Sequence, residues 1–207
     1  KVVSLGDHGT QVFTEFDSGV DHAELLSGFD QTPATPVWQT PSTLDLAQAA
    51  CDSAEENDLH VTLHQVVTNG DQMHRQPVVS LYSSSSATPA WSWNFPVQIG
   101  GSSKVAMSRD GQVIVAAIQN NYQGRAELAV FSPASPTPLS YTWIPFVTQL
   151  RGFDLSADGS TLYFSSPTQA YVFDVATHTT TFQIGLPTAL DCHALSGDGR
   201  VFAFGTF

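Results

Sequence analysis

The residues of this sequence with the clearest metal-ligand character are two histidines four positions apart, His60 and His64 in the segment HVTLH. On a helix, this spacing would direct both imidazoles toward one metal ion. On a strand, the two histidines would share one face with Thr62 but lie about 13 Å apart, because each residue rises by about 3.3 Å. The flanking apolar and β-branched residues favour a strand. We therefore expect two ordinary strand histidines here.

Aspartates in tight corners are a second set of possible metal ligands, in three pairs: Asp110-Gly111, Asp158-Gly159 and Asp198-Gly199. A calcium loop needs several oxygen ligands closely spaced along one segment, whereas each of these aspartates stands alone in its corner. The sequence also has no Gly-x-Ser-x-Gly motif for a nucleophilic serine, and Gly100-Gly101 does not fit a phosphate-binding loop. We therefore expect no catalytic residue, no metal site and no cofactor.

The Asp-Gly corners belong instead to an internal repeat that organises the chain. The repeat is clearest in the segments MSRDGQVIVAA, LSADGSTLYFS and LSGDGRVFAFG. In each segment a short apolar run ends in serine, a polar corner follows, and a run rich in β-branched and aromatic residues comes next. Such runs joined by Asp-Gly predict a β-hairpin, because glycine readily adopts the positive φ of a tight turn.

Two further strands complete each repeat. A segment such as LAVF or YVFD forms the third strand, and a Thr-Pro pair, as in TPAW, precedes a fourth that carries Trp or Tyr. Proline suits an outermost strand, because an edge strand need not donate every ladder hydrogen bond. The corner position recurs after 52, 48 and 40 residues, at Asp58, Asp110, Asp158 and Asp198. Repeats of about 40–50 residues with four strands each indicate the blades of a β-propeller.

These repeated segments, together with Thr-Pro-x-Trp, resemble the WD-repeat and quinoprotein-like β-propeller superfamily. The resemblance covers nearly the whole chain, with a looser fit over residues 17–60. The Gly-His pair and the terminal Trp-Asp of typical WD repeats are missing, and Phe173-Asp174 is the nearest equivalent. The resemblance therefore implies an all-β propeller fold, but it carries over no catalytic residue.

We expect a single propeller domain over residues 1–207, with four blades and the inner two strands of a fifth. The blade boundaries are predicted at 1–46, 47–100, 101–149, 150–188 and 189–207. Propellers of this superfamily usually have more blades, so the resemblance implies that further strands complete the ring. Those strands would come from a longer natural chain, a second chain or another copy. An incomplete blade would expose a sheet edge, which favours association.

The first strand of each blade in a propeller lines or rims the central channel. Asp154, Asp191 and His193 lie near the starts of such strands, Asp52 has a similar place in an earlier repeat, and Arg151 precedes Asp154. We predict that these residues form a polar ligand-binding site at the channel mouth. The alternative is that they are solvated residues at the rim.

Aromatic residues form a second candidate binding surface, in WSWNFP at 91–96 and YTWIPF at 141–146. Exposed clusters of large aromatic side chains are typical of protein-binding hot spots. The predicted patch consists of Trp93, Phe95, Tyr122, Trp143 and Phe146. The alternative is that the same rings pack between neighbouring blades.

Composition narrows the choice of partner. Asp and Glu number 19 against seven Lys and Arg, so the formal net charge is −12. Because nucleic acids and anionic membranes would be repelled, we expect a protein or peptide partner and no nucleic acid. No apolar run reaches the roughly 18–20 residues that cross a bilayer, so we expect no membrane insertion. Scarce lysine and abundant Ser, Thr, Gln and Ala favour an extracellular or periplasmic location.

The two cysteines, Cys51 and Cys192, both fall where the first strand of a repeat begins. One reading is a pair of buried thiols. The other is a single disulfide, which an oxidising compartment would favour.

The repeats and the absence of a convergent acid, base or nucleophile predict a non-catalytic interaction module that binds a protein or peptide through loops on one face. Two alternatives stay open. One is a propeller enzyme of quinoprotein or lactonase-like type, with a small-molecule site at the channel mouth. The other is a structural component that assembles through its open edge blade.

Overall fold

The computed structural model of the protein consists of β-sheets. It describes the backbone of residues 2–5, 12–16, 25–28, 38–39, 46–54, 56–68, 71–83, 85–98, 101–145, 147, 149–186 and 190–206. It describes the side chains of residues 50–54, 56–66, 75–83, 85–98, 101–145, 147, 149–186 and 193–205. Every regular element within these ranges is a strand. No helix long and apolar enough to cross a membrane occurs within them.

The strands form four four-stranded antiparallel sheets and one two-stranded sheet, each built from consecutive strands. The first sheet contains β1 (Val2–Leu5), β2 (Val12–Phe16), β3 (Leu25–Gly28) and β4 (Trp38–Gln39). The second contains β5 (Leu46–Ser53), β6 (Leu59–Thr68), β7 (Asp71–Ser83) and β8 (Trp91–Asn94). The third contains β9 (Ser103–Met107), β10 (Ile114–Asn120), β11 (Arg125–Phe131) and β12 (Ser140–Pro145). The fourth contains β13 (Phe153–Leu155), β14 (Thr161–Ser165), β15 (Gln169–Asp174) and β16 (Thr179–Gly185), and the fifth contains β17 (Leu190–Leu195) and β18 (Phe202–Thr206).

The first hairpin of the third sheet shows how the repeated corner folds. The Ser108 hydroxyl donates to Asp110 Oδ1 over 2.7 Å and accepts from the Val113 amide at 2.9 Å. Asp110 Oδ1 also accepts from the Gln112 amide at 3.0 Å, and Gly111 takes a φ of 70°. Asparagine, aspartate and serine side chains favour turns because they bond to nearby backbone in this way.

The fourth and fifth sheets repeat the same turn. Ser156 and Ser196 donate to Asp158 and Asp198, each over 2.7 Å, and each serine accepts an amide five residues further on at 2.9 Å. The hydrogen bonds that each aspartate accepts hold its pKa below the ordinary value. The same serine-to-backbone hydrogen bond is thus present in all three corners.

The sheets stack face to face around a common axis. The innermost strands β1, β5, β9, β13 and β17 contact one another in that order. Backbone hydrogen bonds also link the corners of successive sheets: Glu56 N to Arg109 O at 2.9 Å, Arg109 N to Ala157 O at 2.9 Å, and Ala157 N to Gly197 O at 2.7 Å. The stack is therefore fixed at its corners as well as through its faces.

Apolar cores lie between the stacked faces. Leu63 and Leu81 of the second sheet pack with Ile114 and Phe131 of the third. The opposite face of the third sheet packs on the fourth in a second cluster, and a smaller cluster joins the fourth sheet to the fifth. The second to fifth sheets therefore bury apolar residues against a neighbour, which a single twisted sheet cannot do alone.

Candidate functional site

A groove of about 570 Å³ runs beside the innermost strands of the second to fifth sheets. Its walls include Asp52 of β5, Met107 of β9, Asp154 of β13 and His193 of β17. Arg109 also lines it, and the Arg109 Nε atom lies 3.4 Å from Glu56 Oε1. The groove thus collects residues that are far apart in the sequence, including three of the residues considered for a central polar site.

Asp52 accepts backbone hydrogen bonds at the wall of this groove. Its Oδ2 atom accepts from the Met107 amide over 2.8 Å, and its Oδ1 atom accepts from the Ser53 amide over 2.9 Å. Met107 lies on the innermost strand β9, whose inner edge pairs with no other strand of the same sheet among the described residues. Asp52 therefore connects the second sheet to the third and satisfies a backbone donor at the groove wall.

Asp154 and His193, two of the residues predicted for a central polar site, lie side by side. Asp154 Oδ2 lies 3.4 Å from His193 Nε2, and the two side chains are 35% and 27% exposed. Burial raises the pKa of Asp154, while the nearby His193 and Lys104 act in the opposite direction. The pair joins the fourth sheet to the fifth and remains accessible from the groove.

Two residues that sequence reasoning missed support this pair, Tyr163 and Gly152. Tyr163 lies opposite Asp154 on β14 and stacks on Phe202, with ring centroids 3.5 Å apart. Burial raises the pKa of Tyr163 to about 12. A Cβ atom on Gly152 would lie 2.9 Å from the Tyr163 ring and 3.1 Å from the His193 ring. The signal available in the sequence was the glycine at the start of a channel-lining strand, where backbone and side chains approach closely.

The remaining predicted groove residues have different outcomes. The Arg151 side chain is exposed, and the groove-lining residues that the structure describes do not include it. Asp191 lies on β17, but its side chain is outside the described residues, as is that of Cys192. The disulfide between Cys51 and Cys192 and the extracellular or periplasmic location therefore stay predictions.

The predicted aromatic patch separates into packed and exposed parts. Phe95 is only 1% exposed, and Trp93 packs edge-on against Phe95 and Phe131, with centroid distances of 4.7 and 5.3 Å. Phe95 is therefore a correction to the predicted patch, because a ring buried between the second and third sheets cannot contact a partner. Phe146 lies outside the described residues.

Two of the predicted residues, Tyr122 and Trp143, are exposed. Their side chains have 53% and 54% of their surface accessible, and Tyr141, two residues before Trp143 on the same strand, has 40%. We refer to Tyr122, Tyr141 and Trp143 as the aromatic shelf. Trp143 and Tyr141 lie on the outermost strand β12, and Tyr122 lies in the turn between β10 and β11.

A buried carboxylate holds Tyr141 and the surroundings of Trp143 in place. Glu127 is 0% exposed, and its Oε1 atom accepts from Arg125 Nε and Nη2 at 3.0 and 2.9 Å and from Asn120 Nδ2 at 2.8 Å. Its Oε2 atom accepts from the Tyr141 hydroxyl. The Arg125 guanidinium lies over the Trp143 ring, 5.2 Å from its centroid. Glu127 was not predicted, because a charged residue within a strand is normally expected to face solvent.

The histidine pair lies on β6 and is buried, with His60 4% and His64 6% exposed. Burial lowers the pKa of each imidazole to about 4. Among the described residues, no group of three or more His, Cys, Asp or Glu side chains could hold a metal ion. The two histidines thus belong to the packing of the second sheet.

Comparison with known proteins identifies the fold. No family model matches the sequence, and no curated protein matches it. Over 98% of its length the chain is similar to the structure of hydrazine synthase from Kuenenia stuttgartiensis, with 12% identity and a TM-score of 0.69. Over 97% it is similar to the Cps50 (Swd1) β-propeller domain from Myceliophteria thermophila, with 9% identity and a TM-score of 0.65. Over 91% it is similar to the complex of KlAtg21 with the coiled coil of AgAtg16, with 9% identity and a TM-score of 0.66.

The chain spans only part of each of these structures, covering 60%, 60% and 57% of their respective lengths. At such low identity, the similarity establishes the fold and leaves activity open. The predicted likeness to WD-repeat and quinoprotein-like propellers is thereby confirmed for the fold, and the chain is an all-β propeller of stacked antiparallel blades.

Proposed function

We propose that this propeller is a non-catalytic interaction module that binds a basic protein segment on its aromatic shelf. The observation that carries the proposal is the Trp143 ring, which is exposed although Arg125 and the buried Glu127 hold its surroundings in place. Tryptophan, tyrosine and arginine are the residues that most often dominate binding energy at protein interfaces. An anchored side chain also loses less conformational freedom on binding.

The charge of the chain supports a basic partner. With a net charge of −12, the surface attracts cationic segments at long range and repels acidic ones. One solved structure to which the chain is similar is a complex with the coiled coil of a second protein, which favours a partner-binding role. A basic segment with apolar side chains would combine long-range attraction with contacts on Tyr122 and Trp143.

A peptide-display selection on the immobilised protein tests this function. We expect enrichment of basic peptides whose binding falls at least about tenfold in Trp143→Ala, as for an interface hot spot. Leu139→Ala is the matched control, since Leu139 is 64% exposed just before β12 but lies outside the shelf. Peptides that bind wild type and Trp143→Ala equally well, or a selection without basic peptides, would contradict the proposal.

A second candidate function, assembly through the open edge, is favoured by exposed apolar side chains on the fourth and fifth sheets. Phe182 and Ile184 on β16 are 55% and 41% exposed, and Phe204 on β18 is 43% exposed. Strands from a second copy would cover these rings and pair with β18. Light scattering over a dilution series should then show a mass that depends on concentration and returns to that of a monomer in Phe182→Ser. A monomer at every concentration would rule this role out.

A further inference from the structure

Asp154 and His193 offer a bound molecule two accessible polar groups on one wall of the groove. Their side chains are 35% and 27% exposed, and they come from different sheets. The Asp154 Oδ2 atom is buried beside His193 Nε2, 3.4 Å away, so a molecule in the groove meets the exposed remainder of the Asp154 side chain. A hydroxyl that donates to the exposed side of this carboxylate would form a charge-assisted hydrogen bond.

The charges around Asp154 favour an uncharged donor. The basic side chains of His193 and Lys104 both lie close enough to affect the carboxylate. A cationic ligand would be repelled by these nearby basic groups, and an anionic ligand would meet the carboxylate and a protein of net charge −12. A hydroxyl group avoids both conflicts, because it can donate to a carboxylate and accept from an imidazole N–H at the same time.

The rest of the groove suits a small organic molecule. Its volume of about 570 Å³ lies within the range of about 300–1,000 Å³ that is usual for small-molecule sites. Apolar side chains of Met107, Leu155 and Leu195 also line it and can contact C–H groups. We propose that the groove binds a neutral polyhydroxylated molecule, one hydroxyl of which donates to Asp154 and accepts from His193.

Ligand-detected NMR on the whole chain tests the proposal, with D-glucose, D-galactose and myo-inositol as neutral probes and putrescine as a cationic probe. We expect at least one neutral probe to show saturable binding and to shift the His193 ring signals. Asp154→Asn should weaken that binding at least about tenfold. Asp58→Asn, which removes one charge from an exposed corner, should leave it unchanged.

Thermal unfolding of each variant shows whether it is folded. If Asp154→Asn does not fold, His193→Phe carries the same expectation, since it removes the imidazole N–H and keeps an aromatic ring. The proposal fails if no neutral probe saturates, if putrescine alone shifts His193, or if binding is unchanged in the folded variants. The aromatic shelf plays no part in these measurements, so failure here leaves the proposed peptide binding unaffected.

Discussion

The two faces of the second sheet differ sharply, although both are buried. On β6, Val61 and Leu63 turn to the third sheet and are 0% exposed within an apolar cluster. Thr62 and His64 alternate with them on the other face and are also buried, at 0% and 6% exposure. That second face turns toward the first sheet, because β1 contacts β5. In a stacked propeller, alternation of polar and apolar residues therefore separates two interfaces, and not an interface from solvent.

The largest effect should come from the apolar face. Leu63→Ala would leave a cavity between the second and third sheets, since Leu63 is fully buried. We expect the free energy of unfolding to fall by about 2–5 kcal/mol, measured by urea denaturation followed through tryptophan fluorescence. The exposed Leu139→Ala should change it by less than about 0.5 kcal/mol. A loss below about 1 kcal/mol for Leu63→Ala would show that this interface is not a close-packed core.

Low pH should destabilise the folded protein through the two histidines on the polar face of β6. The pKa of His60 and of His64 falls from 6.5 to about 4 on folding because burial disfavours the charged imidazole. The unfolded chain thus binds protons more readily than the folded chain. The contribution of the two neutral histidines to the free energy of unfolding is therefore fully present above pH 6.5 and is lost as the pH falls toward 4. Each histidine can contribute up to about 3 kcal/mol to that loss.

Urea midpoints measured between pH 7 and pH 4.5 would reveal this dependence. His60→Gln combined with His64→Gln should flatten the profile, because neither glutamine can be protonated. His178→Asn, in the turn between β15 and β16, is the matched control and should keep the wild-type slope. A double variant as acid-sensitive as wild type would mean that other groups dominate.

The next largest loss of stability should follow from adding a side chain where two sheets approach closely at their corners. Gly159 has a φ of 72°, and an added Cβ would lie 2.7 Å from Val113 Cβ of the preceding sheet. Gly159→Ala should cost about 2–3 kcal/mol from strain and clash together. Gly124→Ala, with a φ of 60° but open space, should cost only about 1 kcal/mol.

Gly185→Ala completes this series, because Gly185 has neither a positive φ nor a neighbour within 4 Å of an added Cβ. Its unfolding free energy should change by less than about 0.5 kcal/mol. Chemical denaturation of the three variants separates the two contributions. If Gly159→Ala and Gly124→Ala lower the free energy of unfolding equally, Val113 moves aside at no energetic cost and the clash contributes nothing.

Controls aside, the smallest effect on stability should come from Thr62→Val on the polar face. The Thr62 hydroxyl lies 3.5 Å from His64 Nδ1, which is a weak hydrogen bond. Replacing it with an isosteric methyl group should cost less than about 1 kcal/mol, again measured by urea denaturation. A loss as large as that of Leu63→Ala would mean that hydrogen bonding, and not apolar packing, holds this face together.

The sequence predicted most of the fold and part of the site. The turns at Asp110, Asp158 and Asp198 could be predicted because serine, aspartate and glycine at fixed offsets form a local hydrogen-bonded turn. Asp154 and His193 were predicted together because both lie near the starts of inner strands. Phe95 was misassigned, and Glu127 was missed, because burial of either depends on neighbouring strands and sheets.

By itself the sequence determined the strands, their corners and the four-strand rhythm, because propensity, alternation and turn chemistry act between residues near one another in the chain. The tertiary structure alone decided that both faces of β6 are buried, that Phe95 packs inside while Trp143 stays exposed, and that Asp154 meets His193. Each of these outcomes depends on which sheet faces which, and stacking joins residues that local pattern cannot connect.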